Sequence, residues 1–432
     1  MKNFTLFTIF VLLVFSNMFA QQEKGIIGYN NWLNPWTEFK PNKVAYGTPT
    51  QILSGNINRD TKLHKRETYL LLGDVFVTDS TTLTIEPGTV IIGDFKTKGS
   101  LTISNGSKII AEGTHTDPII FTSSRSVKKP GDWGGIFILG NAPISKYGNE
   151  ASLNYGLKPS DFKSISYGGL DPNSNSGIFK YVRIEFAGKR TKDFGYFNGL
   201  TLAGVGRETV IENIMVSFCE GNSINVIGGD LILDKMVSYK SYVNDFEFNS
   251  GAQCKLINSL AVRSPYASGS AISRCLYVAN YDIKEEADYS KAQTFVDAEN
   301  LSLVNLSDDL FYDTKIGLVN EAIYVGEDVS FSIDNSVISG FSPAVILDEN
   351  IKINSTNLNK IKFTRTYFNN CRGNIFVKNN PNNDDLENWY GSSAFNNVYS
   401  RGPDSETFID SDNASRPDFR LQINKIIASN DD

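Results

Sequence analysis

Thr81-Thr82-Leu83-Thr84-Ile85-Glu86-Pro87-Gly88-Thr89-Val90-Ile91 decides how the chain folds, because the rest of it keeps returning to this pattern. It is answered by Gly99-Ser100-Leu101-Thr102-Ile103-Ser104-Asn105-Gly106-Ser107-Lys108-Ile109. Leu83 to Leu101 is 18 residues, another 18 leads to Ile119, and 17 more to Ile136. Short apolar runs divided by Gly- or Pro-marked turns at intervals of about 20 residues are the mark of a solenoid. The runs alternate and are rich in β-branched residues, so the solenoid is a β-helix and the chain is all-β. Stacked coils stand about 4.8 Å apart, so equivalent side chains form ladders. On this spacing Leu83, Leu101 and Ile119 form one inner ladder. Pro87-Gly88 and Asn105-Gly106 then occupy matching turns.

Working outward, residues 1–20 read as an export signal: Lys2, an apolar run from Phe4 to Phe15, and small Ala20 at the cleavage site. The run is too short to span a bilayer comfortably, and no later stretch is apolar for long enough. Residues 21–66 are expected to cap the open end of the solenoid, with Trp32, Trp36 and Phe39 as the lid rather than as a ligand platform. The helix proper is expected over 67–380, interrupted by an irregular excursion at 140–178, and 381–432 form a far cap and tail. Gly131-Asp132-Trp133-Gly134-Gly135 is a conformationally demanding segment before a strand. Asn213, Asn258, Asn300 and Asn335 each precede an alternating apolar strand, at intervals of 45, 42 and 35 residues. They are expected to form a structural ladder at a coil corner.

The formal net charge is −7, and loss of Lys2 with the signal takes it to −8. A mildly acidic exported chain has no basic face for nucleic acid or anionic lipid. Two histidines, His64 and His115, leave little for a histidine-built metal site or triad. Cys254 and Cys275 are 21 residues apart, about one coil, and could stack as a disulfide. The alternative for these two, and for Cys219 and Cys371, is a buried thiol.

The string from Leu83 to Ile91 resembles a group of exported bacterial β-helix proteins. So do Asp117-Pro118-Ile119-Ile120-Phe121-Thr122-Ser123, Gly131-Asp132-Trp133-Gly134-Gly135-Ile136, Lys180-Tyr181-Val182-Arg183-Ile184-Glu185-Phe186-Ala187-Gly188 and Asn198-Gly199-Leu200-Thr201-Leu202. The resemblance covers roughly residues 30–265. It implies the right-handed parallel β-helix of pectin-lyase-like proteins. It also implies a place in the periplasm, at the outer membrane or on the cell surface, often as a lipoprotein. From the company such proteins keep, it implies a neighbour such as a TonB-dependent transporter. The chain departs from the group in lacking a lipobox cysteine. It departs again where paired acidic residues stand elsewhere: here the sequence reads Glu220-Gly221-Asn222-Ser223-Ile224-Asn225, and Asn244-Asp245-Phe246-Glu247-Phe248 keeps part of the pattern.

Two functions follow. The first is a non-catalytic binding or assembly component of the cell envelope, with a protein or a glycan as partner and no cofactor. The second is a carbohydrate-active lyase or hydrolase. It would use Asp245 and Glu247 with Arg183, Lys189 or Arg190 as cations, and Asp230 with Asp245 to hold Ca2+. Alternation of Arg183 and Glu185 with Val182 and Ile184 reads more simply as an exposed strand face.

Overall fold

The computed structural model describes residues 24–153, 156–192, 195–267, 273–378 and 384–422. Residues 1–20, read as the export signal, lie outside the described residues. Among those described, 29 strands join into one continuous sheet, and nearly every pairing is parallel to the next coil. The chain winds through three faces in turn. Thr82–Ile85 lies on face A, Val90–Gly93 on face B and Ser100–Ile103 on face C, and Lys108–Glu112 returns to face A. The fold is a right-handed parallel β-helix.

The three-sided coil corrects the ladder read from the 18-residue interval. Leu83 stacks on Ile109 in face A, Leu101 on Ile136 in face C, and Ile119 on Val182 in face B. An interval of 18 covers two sides of the coil, not a full turn. Pro87-Gly88 turns from A to B, whereas Asn105-Gly106 turns from C to A. The true inner ladder of face A runs Leu63, Ile85, Ala111, Phe179, Ile211, Leu233, Leu256, Ala298, Ile333, Phe363. All ten are buried in one core. Trp133, fully buried, enters that core from the B-to-C corner and stacks on Phe121 at 6.3 Å. Its indole Nε1 donates to the Glu185 carbonyl at 2.7 Å. Gly135 (φ +143) follows, where a Cβ would stand 2.0 Å from the Asn198 carbonyl oxygen.

The N-terminal segment does not cover the end of the stack. It runs as a strap along the outside of face B. Gly25 N donates to Asn335 O at 2.7 Å, Ile26 N to Ser302 Oγ at 3.0 Å and Ile27 N to Asn258 Oδ1 at 2.8 Å. Further along, Phe39 meets Tyr239 edge-on at 4.9 Å and Trp36 meets Tyr181 edge-on at 5.8 Å. The reason lies in the outward positions of face B. Met215, Val237, Leu260, Val262, Val304 and Val337 are apolar and buried, so this sheet needs cover on both sides. A C-terminal hairpin completes the cover with Phe408, Phe419 and Leu421. The first strand, Gln51–Ile57, and the last in face B, Val398–Ser400, belong to the helix, which therefore extends past both ends expected for it. The helix Asp384–Tyr390 closes the far end, burying Leu386 and Tyr390 against Phe363 and Phe376.

Asn213, Asn258, Asn300 and Asn335 all sit at the A-to-B corner with left-handed φ of 55°, 45°, 58° and 46°. The intervals of 42 and 35 residues are single coils lengthened by loops. All four cysteines are free and buried. Cys254 stacks between Leu231 and Val296 in face A, while Cys275 precedes a face C strand, so the two do not meet.

Candidate functional site

Outward positions of face C form a column: Phe76, Thr102, Phe137, Thr201, Asn225, Glu247, Tyr277, Tyr324, Ile346, Val377. Its first part is covered. Ile144, Leu153, Leu157, Ile165 and Tyr167 of the 140–178 excursion pack on Phe76, Phe137, Leu139, Ala203 and Ile227. The excursion is pinned by Ser145 N donating to Ser250 O at 2.8 Å and by a bridge from Lys146 to Ala287. Where this cover ends, a cleft of about 370 Å3 opens over Asn198, Asn222, Asn225, Glu247 and Asn249. Lys146, Tyr167, Asp282 and Glu286 wall it on the C-to-A side, and Tyr196 on the other.

Glu247 is the centre of the floor. Its Oε2 accepts from Asn222 Nδ2 and Asn244 Nδ2, both at 2.9 Å, and its Oε1 from Asn249 Nδ2 at 3.2 Å. The coil register fixes two of these amides. Asn222 Oδ1 accepts from Asn244 N at 3.0 Å, and Asn244 Oδ1 accepts from Arg274 N at 3.2 Å. A backbone N–H can only donate, so each amide must turn its NH2 toward Glu247. Burial pushes the Glu247 carboxyl above the usual range, the amide donors oppose this, and Asp282 adds to the upward push. Beyond Glu247 the column turns aromatic. Tyr277 and Tyr324 stack at 5.2 Å, with the Arg274 guanidinium 5.3 and 4.6 Å from their ring centres. Arg274 is also paired with Glu321.

Of the other residues singled out in the sequence, Arg190 lies beside the cleft wall and the rest lie elsewhere. Asp245 is fully buried, accepting from Arg263 at 2.9 Å and from Ser238 at 2.5 Å. Arg183 is on face B, buried under the strap rather than exposed. It lies 3.3 Å from Glu185 and donates to Tyr46 Oη at 2.8 Å. Asp230 starts a face A strand and is paired with Arg207. Lys189 pairs with Asp74 at 3.1 Å, and Arg190 lies over Tyr196. Asp230 and Asp245 are thus not brought together as a Ca2+ pair, and Arg183 does not face Glu247. Among the described residues, no three His, Cys, Asp or Glu side chains are grouped as a metal would need. Sequence reading missed the amides of Asn222, Asn244 and Asn249. A signal existed: Asn198, Asn222 and Asn244 each stand two residues before a face C strand, 24 and 22 residues apart.

A sheet coiled so that each strand pairs in parallel with its equivalent in the next coil defines the class of parallel β-helix proteins. The chain belongs to the pectate-lyase-like β-helix domain family, whose family model matches residues 55–408. No curated protein sequence matches it. Among solved structures, it aligns with the crystal structure of the Dettilon tailspike protein (gp208) at 13% identity and a TM-score of 0.26, over 73% of this chain and 61% of that one. The chain thus spans less than two thirds of the tailspike's length. No helix among the described residues is long and apolar enough to cross a membrane.

Proposed function

We propose that the protein is an exported, non-catalytic glycan-binding component of the cell envelope, with the glycan seated in the face C cleft. One observation carries the reading. Glu247, Asn225 and Asn249 present fixed polar groups on a rigid sheet, at the base of a cleft flanked by tyrosines. Sugars need hydrogen-bonding groups at fixed positions and aromatic surface beside them. Glu247 is held by three amides, which suits recognition better than a proton donor that must change state.

Titration calorimetry against a panel of cell-wall and surface oligosaccharides tests this. Glu247→Ala and Tyr196→Ala should each weaken binding by more than tenfold, while Asp230→Asn, outside the cleft, leaves it unchanged. Equal affinities for all three variants would remove the cleft from consideration.

The raised carboxyl of Glu247, with Asp282 lining the same cleft, favours one alternative, a glycoside hydrolase with these two as acid and base. Turnover of a bound oligosaccharide that disappears in Glu247→Gln with binding retained would establish it. Export rests on residues 1–20, and a protein neighbour such as a TonB-dependent transporter rests on the family resemblance. Gentle purification of the tagged chain from the envelope tests both.

A further inference from the structure

We propose that the cleft selects a glycan bearing a protonated amine, a glucosamine-type unit, and rejects chains of uronic acid. The proposal rests on the glycan-binding reading and adds the chemistry of its ligand.

Lone pairs set what Glu247 can still accept. A carboxylate offers about four acceptor positions. Asn222 and Asn244 take two at Oε2 and Asn249 takes one at Oε1, leaving one at Oε1. Every protein neighbour in this set is a donor, which matches the ionised carboxylate. No lysine or arginine pairs with Glu247 among the described residues. A carboxylate set into a protein face without a cation is costly and gains much from one.

The rest of the cleft has the same sign. Its lining holds one lysine against three carboxylates, Glu247, Asp282 and Glu286. That lysine, Lys146, is already taken by Glu286 at 2.7 Å. Of the guanidiniums beside the cleft, Arg274 is taken by Glu321 and Arg190 lies over the Tyr196 ring at the other wall. Asp282 is exposed, with no hydrogen-bond or ion-pair partner among the described residues. A uronate would meet uncompensated negative charge at Glu247 and Asp282.

A divalent cation fits the floor less well than an ammonium. Ca2+ takes six to eight oxygens. Here the amide oxygens of Asn222 and Asn244 are spent on the backbone of the next coil, and their NH2 groups face inward. An ammonium needs only the free position on Glu247 Oε1, with Asp282 beside it for charge.

Three tetrasaccharides test the proposal on the mature chain by titration calorimetry: β-1,4-glucosamine, its N-acetylated form, and galacturonate. The free amine should bind at least tenfold more tightly than the acetylated chain. Its advantage should shrink with added salt, and galacturonate should not bind. Glu247→Gln should bring amine and acetylated forms to equal affinity. Asp282→Asn, an exposed position that cannot disturb the fold, should reduce the preference severalfold. Equal affinity for the amine and acetylated forms, or preference for galacturonate, would overturn the amine inference and leave glycan binding intact. So would an unchanged preference in both variants. Binding of none of the three, nor of any oligosaccharide in the wider panel, would overturn both readings.

Discussion

Asp245 and Glu247 stand two residues apart and serve opposite ends. Asp245 is fully buried beside Arg263, which also donates to the carbonyls of Ser241 at 3.1 Å and Arg274 at 3.2 Å. Removing one partner of such a pair strands the other charge, so Arg263→Met should cost about 3–5 kcal/mol in urea unfolding. The double variant with Asp245→Asn should recover part of this. The cost should also depend on pH. Burial raises the Asp245 carboxyl above its ordinary value, and Arg263 opposes that rise. An acid raised in the folded state contributes stability below its unfolded pKa and loses it as pH rises through the folded pKa. Without Arg263 the folded pKa climbs further. The deficit of Arg263→Met should therefore be largest near neutrality and shrink toward pH 4. A deficit that is flat with pH would mean the loss is packing rather than charge.

The A-to-B corner shows which elements a sequence discloses. Left-handed φ costs ordinary residues about 1–2 kcal/mol, and Asn and Gly tolerate it best. Asn213 Oδ1 has no hydrogen-bond partner among the described residues, so its role is conformational. Asn213→Ala should cost about 1–2 kcal/mol and Asn213→Gly almost nothing. Asn258 also accepts from Ile27 N at 2.8 Å and donates to Ile27 O at 3.1 Å. Asn258→Gly should therefore still lose about 1–2 kcal/mol from its two bonds to the strap. Thermal melting of the three variants separates the two roles. The corner was legible because each Asn announces a strand, and the strands were legible because inward positions alternate with outward ones. Coil length was not. Loops at the corners stretch a turn from 22 residues, Ile211 to Leu233, to 68, Ile109 to Gly177, and no fixed period survives that. The site was half legible for the same reason. Glu247 stood out as an acid in a strand, but the amides that hold it come together only through the register of adjacent coils.

A solenoid of stacked coils has contacts only between neighbours, so parts of it can unfold separately. This molecule adds a long-range tie. The strap touches Asn335, Ser302 and Asn258 at one end and Met215 and Tyr181 at the other. It also locks to the C-terminal hairpin: Asn31 Nδ2 donates to Pro417 O at 2.9 Å and Arg420 to Gly28 O at 2.8 Å. The strap and the hairpin thus grip the same outer face of many coils. Trp36 is fully buried at the hinge of this grip. Its replacement by Ala removes about 3–5 kcal/mol of packing in place, unless the strap lets go first and limits the loss. Release is the expected outcome, because the strap has no sheet pairing of its own. In Trp36→Ala, hydrogen exchange should show residues 25–39 losing protection while the ladder amides of 214–217 and 237–239 keep theirs. The single melting transition expected of the wild type should then divide, with the coils beyond Asn335, no longer tied back to the middle of the stack, melting first. If the variant instead melts in one step with the strap protected until the end, the coils cohere by stacking alone and the strap is only a cover for an apolar face.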